Sequence, residues 1–392
     1  MMISIVLSFC LFSLAQQPRT MLVDHDVISD HSCLSLDGKT IGISGGTQGG
    51  GDWKVFDLTD GKCRVNGMDG KLRCWGAWAM AFSADGSMMA VGGNYNKFFL
   101  VNSMTGALIW DLTNEGHVSV ITNVCFTPDG KYLISTGGDM MIRVWEIKNR
   151  KAHAVFRFTS TNRRLNQWQS PLYKERAKYV YNVEGKYHHL QQSALSPDGK
   201  TFALAGNLDR KIPLLDLASG KVSKHIDIIQ ETAVSLAFSS DGKWLVVGGP
   251  MENAKIEIYD VEKNKLVTSF GKHEWTVWRL AISPDKKTVL TGGVKDGFRV
   301  WDVPTGKQKF SYFTKDDPRM PRIKVFPDGS KYVGNECRSA GVAFLPDGKT
   351  FVLVPHWQSI TAEVYFHDTA TGRPVDYRKR IAALPKAAKA PR

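Results

Sequence analysis

Four groups of side chains in this sequence have the types and spacing to do chemistry. The acidic group is Asp52, Glu252 and Asp296, each near a turn that follows a short apolar run. Three carboxylates converging on one point would hold a divalent cation for metal-assisted hydrolysis, but no fixed spacing ties these three together. Neither G-x-S-x-G nor H-E-x-x-H occurs, and the glycine run Gly45–Gly51 lacks the Lys and helix pattern of a phosphate cradle. No catalytic residue is assigned, and neither a metal nor a cofactor is expected.

The second group is sulfur. Six cysteines in 392 residues are too few for a disulfide scaffold, and no C-x-x-C pair suggests zinc. Cys63 and Cys74 flank Asn66–Gly70 symmetrically, like the arms of a hairpin, and make a candidate disulfide. Geometry decides bridging, and the strand pattern given below would separate them. Cys33 and Cys125 read as small buried residues.

The third group is basic and aromatic. Residues 157–187 hold Arg157, Arg163, Arg164, Lys174, Arg176, Lys178 and Lys186, interleaved with Trp168, Tyr173, Tyr179, Tyr181 and Tyr187. Aromatic platforms among cations suit a single-stranded nucleic acid or an acidic glycan. The whole chain agrees in sign, since 51 Lys plus Arg against 38 Asp plus Glu give +13. Such a balance favours anionic partners and says nothing of fold.

The fourth group, of Trp, His and Arg, acquires meaning from the elements that must position it. Asp-Gly turns recur at Asp37, Asp85, Asp129, Asp198, Asp241 and Asp347, with Asp285-Lys286 as a further copy. The Asp positions are spaced 48, 44, 69, 43, 44 and 62 residues apart, a four-strand period with two insertions. Four residues before each Asp stands a small residue: Cys33, Ala81, Cys125, Ala194, Ala237, Ala281 or Ala343. The next position is large and apolar, the mark of an innermost strand squeezed between sheets. Apolar runs closed by Gly-Gly follow, then strands such as Val144-Trp145-Glu146, Ile258-Tyr259-Asp260 and Val300-Trp301-Asp302. Short strands at this spacing give an all-β repeat architecture.

The sequence from about 25 to 380 resembles the WD-repeat β-propeller family, in a divergent form of bacterial type. The resemblance implies a seven-bladed propeller of four-stranded antiparallel blades. It implies a buried hydrogen-bonded network of His117, Ser135 (or Thr136), Asp139 and Trp145 in the third copy. The sixth copy offers His273, Thr291 and Trp301, with Asp296 one residue closer to the Trp than the pattern wants. Loops entering the inner strands then present a candidate binding surface: Trp75, Trp78, His188, His189, Trp275, Trp278, Arg279 and Arg338. Ring closure is expected from Met21–Asp24 and Arg373–Arg378, because an open joint leaves a bare sheet edge.

Residues 1–15 carry no charged side chain, and Ile3–Leu14 is nearly all apolar. That run is too short to span a bilayer and fits a secretion signal with a small-x-small cleavage site at Ser13-Leu14-Ala15. The expected organisation is a signal peptide (1–15), a propeller (16–380) and a disordered basic tail (381–392). Insertions are expected at about 157–187 and 309–338. No internal run approaches 18 apolar residues, so the mature chain has no expected membrane-spanning segment. The function expected is an exported, non-catalytic scaffold for another protein, in the periplasm, cell envelope or extracellular space. The alternatives are a metal-dependent hydrolase resembling propeller lactonases, and a polyanion-binding protein.

Overall fold

The computed structural model describes residues 20–23, 31–47, 50–67, 72, 74, 76–160, 179–187, 192–206, 210–251, 254–313, 324–325, 331–332, 338–356 and 362–384. Seven antiparallel sheets follow one another along the chain as the blades of a propeller. Their innermost strands are His31–Leu34, Ala77–Phe82, Ile121–Phe126, Ser193–Leu195, Ser235–Phe238, Val277–Ile282 and Arg338–Phe344. Each blade then runs outward through three more strands, as the repeat predicts.

The core is not one mass. Among the described residues seven separate apolar clusters form, each built from two adjacent blades. Between blades 5 and 6, for example, Val246, Ile256 and Ile258 meet Val289, Trp301 and Val303. Since both faces of every blade are covered, the strands read as near-continuous apolar runs and not as alternating ones. Polar ties cross the joints as well. Asn123 Nδ2 donates to Ser193 Oγ at 2.7 Å, and Ser235 Oγ donates to the Val277 carbonyl at 2.7 Å.

Closure of the ring partly corrects the expectation. Thr20–Val23 does pair antiparallel with Ala362–Asp368, completing blade 7 from the other end of the chain. Arg373–Arg378 is not a closing strand. Asp376 accepts hydrogen bonds from the Arg378 and Lys379 amides and starts helix α1 (Tyr377–Ala382). An N-cap Asp followed by good helix formers is a helix start, and local chemistry wins there. The tail expected to be disordered from 381 is likewise structured through Leu384. Tyr377, Ile381 and Leu384 are buried against Leu58, Leu345 and Phe366 at the joint of blades 7 and 1.

The first insertion also differs from expectation. Residues 157–160 finish the outer strand Lys151–Ser160 of blade 3, and Tyr179–Tyr187 forms a fifth strand parallel to it. Parallel pairing requires a long connection, and residues 161–178 separate the two strands in the sequence. The Tyr181 ring stacks on Phe156 at 5.1 Å. A side chain at Gly220 of blade 4 would overlap that ring, so Gly220 admits the close approach. The second insertion starts later than expected, because 309–312 belong to the outer strand Gln308–Tyr312 of blade 6. Beyond it lies a small hairpin of Lys324–Val325 and Lys331–Tyr332.

Candidate functional site

In blade 3 the expected network is complete. Trp145 Nε1 donates to Ser135 Oγ at 2.8 Å, and Ser135 Oγ meets His117 Nε2 at 2.8 Å. His117 Nδ1 lies 3.0 Å from the Asp139 carboxylate, which also accepts the Val118 and Met141 amides. Thr136 is not a member; its hydroxyl pairs with that of Thr122. Asp139 is fully buried, which would raise its pKa, but His117 and the amide donors outweigh burial and hold the carboxyl below its usual range.

Blade 6 repeats the arrangement. Trp301 Nε1 donates to Thr291 Oγ1 at 2.8 Å, Thr291 Oγ1 meets His273 Nε2 at 2.7 Å, and His273 Nδ1 meets Asp296 at 2.9 Å. The altered spacing of Asp296 does not prevent this. In both blades the Asp is followed by a left-handed residue, Met140 at φ 62° and Gly297 at φ 73°. That backbone turn, not the distance to the Trp, sets the carboxylate. Burial pushes the His273 pKa down against the opposing pull of Asp296. A neutral His273 fits the hydrogen bonds, donating from Nδ1 to Asp296 and accepting at Nε2 from Thr291.

Sequence reasoning missed a substitute in blade 5. There Tyr259 takes the Trp place, and its hydroxyl donates to the buried Glu257 at 2.6 Å and accepts the Ile229 amide at 3.0 Å. The Ile258-Tyr259-Asp260 run was the available signal.

Three of the surface candidates, Trp78, Trp278 and Arg279, meet at one cavity at the mouth of the channel. A cavity of about 380 Å³ is lined by Trp78 and Asn94 of blade 2, Val120 and Thr122 of blade 3, Gln192, Val234, and Trp278 and Arg279 of blade 6. Trp78 and Trp278 remain 42% and 37% exposed. Trp78 Nε1 donates to Asn94 Oδ1 at 3.1 Å, which fixes that ring. Arg279 Nε donates to the Ala340 carbonyl at 3.3 Å, tying its side chain across to blade 7. Trp275 stands apart, half-buried with Lys295 Nζ 4.5 Å above its ring. Arg338 opens the inner strand of blade 7, and nothing is described of its side chain. Trp75, His188 and His189 lie outside the described residues, as do Arg163, Arg164, Trp168, Lys174 and Arg176.

Of the three acidic candidates, Asp296 is engaged by His273 and by Arg299 at 3.2 Å. Glu252 and the Asp52 side chain are outside what is described. Among the described residues no group of three or more His, Cys, Asp or Glu is placed to hold a metal ion. The Cys63–Cys74 disulfide does not form. Cys63 is exposed on the outer strand of blade 1, whereas Cys74 is buried in the joint with blade 2. Burial pushes the Cys74, Cys33 and Cys125 thiols up to about 12, so they pack as apolar groups.

A family model described as WD domain, G-beta repeat matches residues 109–146, 223–260 and 264–302. Each match begins in, or one residue before, the outer strand of one blade and ends in the third strand of the next. Human apoptotic protease-activating factor 1 is 24% identical over 48% of this chain and 12% of its own length. An uncharacterized WD repeat-containing protein of Synechocystis is 28% identical over 39% of this chain and 43% of its own. The guanine nucleotide-binding protein subunit beta of Nicotiana tabacum is 24% identical over 59% of this chain and 71% of its own. The chain therefore spans less than half the length of the first two of these relatives.

Proposed function

This chain is a WD-repeat β-propeller, and from that premise we propose that it is a non-catalytic scaffold binding another protein at the channel mouth. The observation that carries the reading is the pairing of Trp78 and Trp278, both solvent-accessible, around one cavity with Arg279. Trp and Arg at the centre of a concave patch are the residue types that dominate protein interfaces. The networks of His117 and His273 supply rigidity, since both imidazole nitrogens of each histidine already have their partners in the fold. The printed names of two relatives, a subunit and a protease-activating factor, describe assembly and activation, and they support the same reading.

Export belongs to the proposal too. Its support is the uncharged apolar run before Gln16 and the small-x-small site that precedes it. Expressing the full chain and sequencing the recovered N-terminus tests this. A start at Gln16 in an extracytoplasmic fraction is expected, and an intact Met1 in the cytoplasm overturns export.

The scaffold reading is tested by cross-linking with wild-type chain and with Trp78→Ala/Trp278→Ala. A partner recovered with the first and lost with the second, at equal melting temperature, is the expected result. Equal recovery by both would move the interface elsewhere.

A further inference from the structure

We propose that the channel-mouth cavity takes a proline-rich segment of a partner protein, in polyproline II form, stacked on the Trp78 and Trp278 indoles. This rests on the reading of the channel mouth as the interaction site and adds the chemistry of the occupant. The cavity, at about 380 Å³, is of side-chain-cluster size and not of domain size. What enters is therefore a few residues of extended chain.

Hydrogen-bonding capacity in the lining selects those residues. Trp78 Nε1, the one polar group of that ring, already donates to Asn94 Oδ1. The Thr122 hydroxyl is paired with that of Thr136 at 2.8 Å. Arg279, tied by Nε to the Ala340 carbonyl, is not counted among the open donors. Three donor groups of the lining have no partner among the described residues: Trp278 Nε1, Asn94 Nδ2 and the Gln192 amide nitrogen. Gln192 Oε1 is the one side-chain acceptor of the described lining that holds no bond. An ordinary extended segment brings one N–H for each C=O, and here most of those amides would lose water without gaining an acceptor. Proline brings the C=O alone. A proline-rich segment therefore meets the open donors and buries no amide of its own.

The apolar part follows from the rings. A polyproline II helix has no internal hydrogen bonds, so its carbonyls point outward and its pyrrolidine rings lie ready to pack on aromatic faces. Its fixed φ lowers the ordering cost of binding. Trp78 is held by Asn94 before any ligand arrives, and Trp278 stays 37% exposed. The aromatic surface continues at Tyr95, next in sequence to Asn94. Tyr95 and Asn96 stand in the left-handed region at φ 54° and 50°, and Asn96 Nδ2 donates to Asn114 Oδ1 at 2.8 Å and to the His117 carbonyl at 3.1 Å. A bulky residue in that region is strained. The turn carries the strain with Tyr95 76% exposed on the same rim, where its ring serves a surface and not the core.

The test reads the anisotropy of fluorescein-labelled decapeptides on the folded full chain, together with melting temperature. The probes are decaproline, alternating proline–alanine, and alternating proline–N-methylalanine, which removes the N–H without adding a ring. Decaproline should bind at least about tenfold tighter than proline–alanine, and the N-methylated peptide should recover most of the difference. Trp278→Phe keeps a ring and removes the donor, and should weaken decaproline about fivefold at unchanged melting temperature. Should that variant unfold, Gln192→Glu carries the test, because an acceptor in place of a donor should weaken decaproline likewise. Equal affinity for decaproline and proline–alanine, still dependent on Trp78 and Trp278, overturns the proline occupant and leaves the interaction site standing. Tighter binding of an alternating threonine–glutamate peptide does the same. Decaproline binding untouched by Trp78→Ala/Trp278→Ala overturns the site itself. No binding of any probe, with the cross-linked partner still lost in Trp78→Ala/Trp278→Ala, rejects proline and keeps the site.

Discussion

The two rims of this propeller are built by opposite rules. One rim carries the turns that join first to second and third to fourth strands, and the turn carboxylates there are answered by hydroxyls and amides within a few residues. In six of the seven first turns a Ser or Thr hydroxyl donates to the turn Asp at 2.5–2.6 Å and accepts the amide five residues on at 2.9–3.0 Å. In the seventh, Leu345 replaces the hydroxyl and joins the apolar joint beneath α1. The other rim carries the loops around the channel mouth, where Trp78, Tyr95, Ile229, Met251 and Trp278 stay exposed. The open rim gathers two exposed indoles and an Arg around one cavity, and that is what it offers a partner.

The comparison is broken most severely by removing what locks the self-satisfied rim. Ending the chain after Gly372 strips Tyr377, Ile381 and Leu384 from the joint of blades 7 and 1. At about 1.5–3 kcal/mol for each buried side chain, the loss is roughly 5 kcal/mol and a large fraction of a domain's stability. Urea unfolding of the truncated and full chains checks this. If the truncated chain is insoluble, Ile381→Ala gives a graded version at about 2–5 kcal/mol. An unchanged midpoint in both variants would mean that α1 does not close the ring.

A smaller loss is expected from Asp139→Ala. It leaves the buried His117 and the Val118 and Met141 amides without their acceptor, at a cost of about 1–3 kcal/mol. Asp296→Ala should cost less, because it strips one backbone amide, that of Glu274, of its acceptor where Asp139→Ala strips two. The two sit in different blades and should add. Neither should alter affinity at the channel mouth measured on folded protein. Loss of binding at unchanged stability would assign Asp139 to a ligand site and reverse the reading of the network.

Protonation probes the same interior. His31 and His273 both have pKa values lowered in the folded chain, so the unfolded chain binds their protons first. Their contribution to stability is present above about pH 6.5 and declines as pH falls below it. Asp139 and Asp296 are lowered as well, which adds a second decline below about pH 4. Urea midpoints should fall between pH 7.5 and 5.5, then again towards pH 3.5. A flat upper limb would contradict the buried neutral histidine.

These comparisons also explain what the sequence could reveal. The repeat, the blade count and the blade 3 network were legible because local turn chemistry repeats wherever Ser-x-Asp-Gly stands. Asp296 looked misplaced because residue counting ignores the left-handed Gly297 that re-aims the chain. The fifth strand was hidden by its own composition. Tyr179 and Tyr181 advertised a binding surface, while the partner that buries Tyr181, Phe156 on an outer edge, is set by tertiary packing. Helix α1 did have a signal in Asp376 and in the apolar Tyr377 and Ile381 four residues apart. The need for a closing strand overrode it. Trp78 and Trp278 were legible as residue types. Their convergence with Arg279 on one cavity was not, since it is set by the curvature of the ring.

On the open rim, Trp278→Ala sharpens the contrast from the other side. With more than a third of the side chain already in solvent, the stability loss should stay within about 1 kcal/mol. A loss as large as that of Asp139→Ala would make Trp278 a blade cap and remove it from the interface.

The smallest effect is expected at the one first turn that lacks glycine. Lys286 occupies the left-handed position at φ 61°, where the other six turns have Gly. A non-glycine residue there costs roughly 1 kcal/mol. Lys286 offsets this by reaching back to blade 5, where Nζ lies 2.7 Å from Asp241 and 4.6 Å above the Trp244 ring. The hydrogen bond from Lys286, ahead of that from Ser239, holds the Asp241 carboxyl well below its usual range. A partly exposed ion pair contributes about 0.2–1 kcal/mol and the cation–π contact about 0.5–1 kcal/mol. Lys286→Gly should therefore stay within about 0.5 kcal/mol of wild type at low salt. Raising salt to about 1 M shortens the screening length and weakens the pair without touching the backbone strain. The glycine variant should then become the more stable of the two. A loss above roughly 1.5 kcal/mol that ignores salt would show that Lys286 is held by packing, and that this rim is tied together by more than its turns.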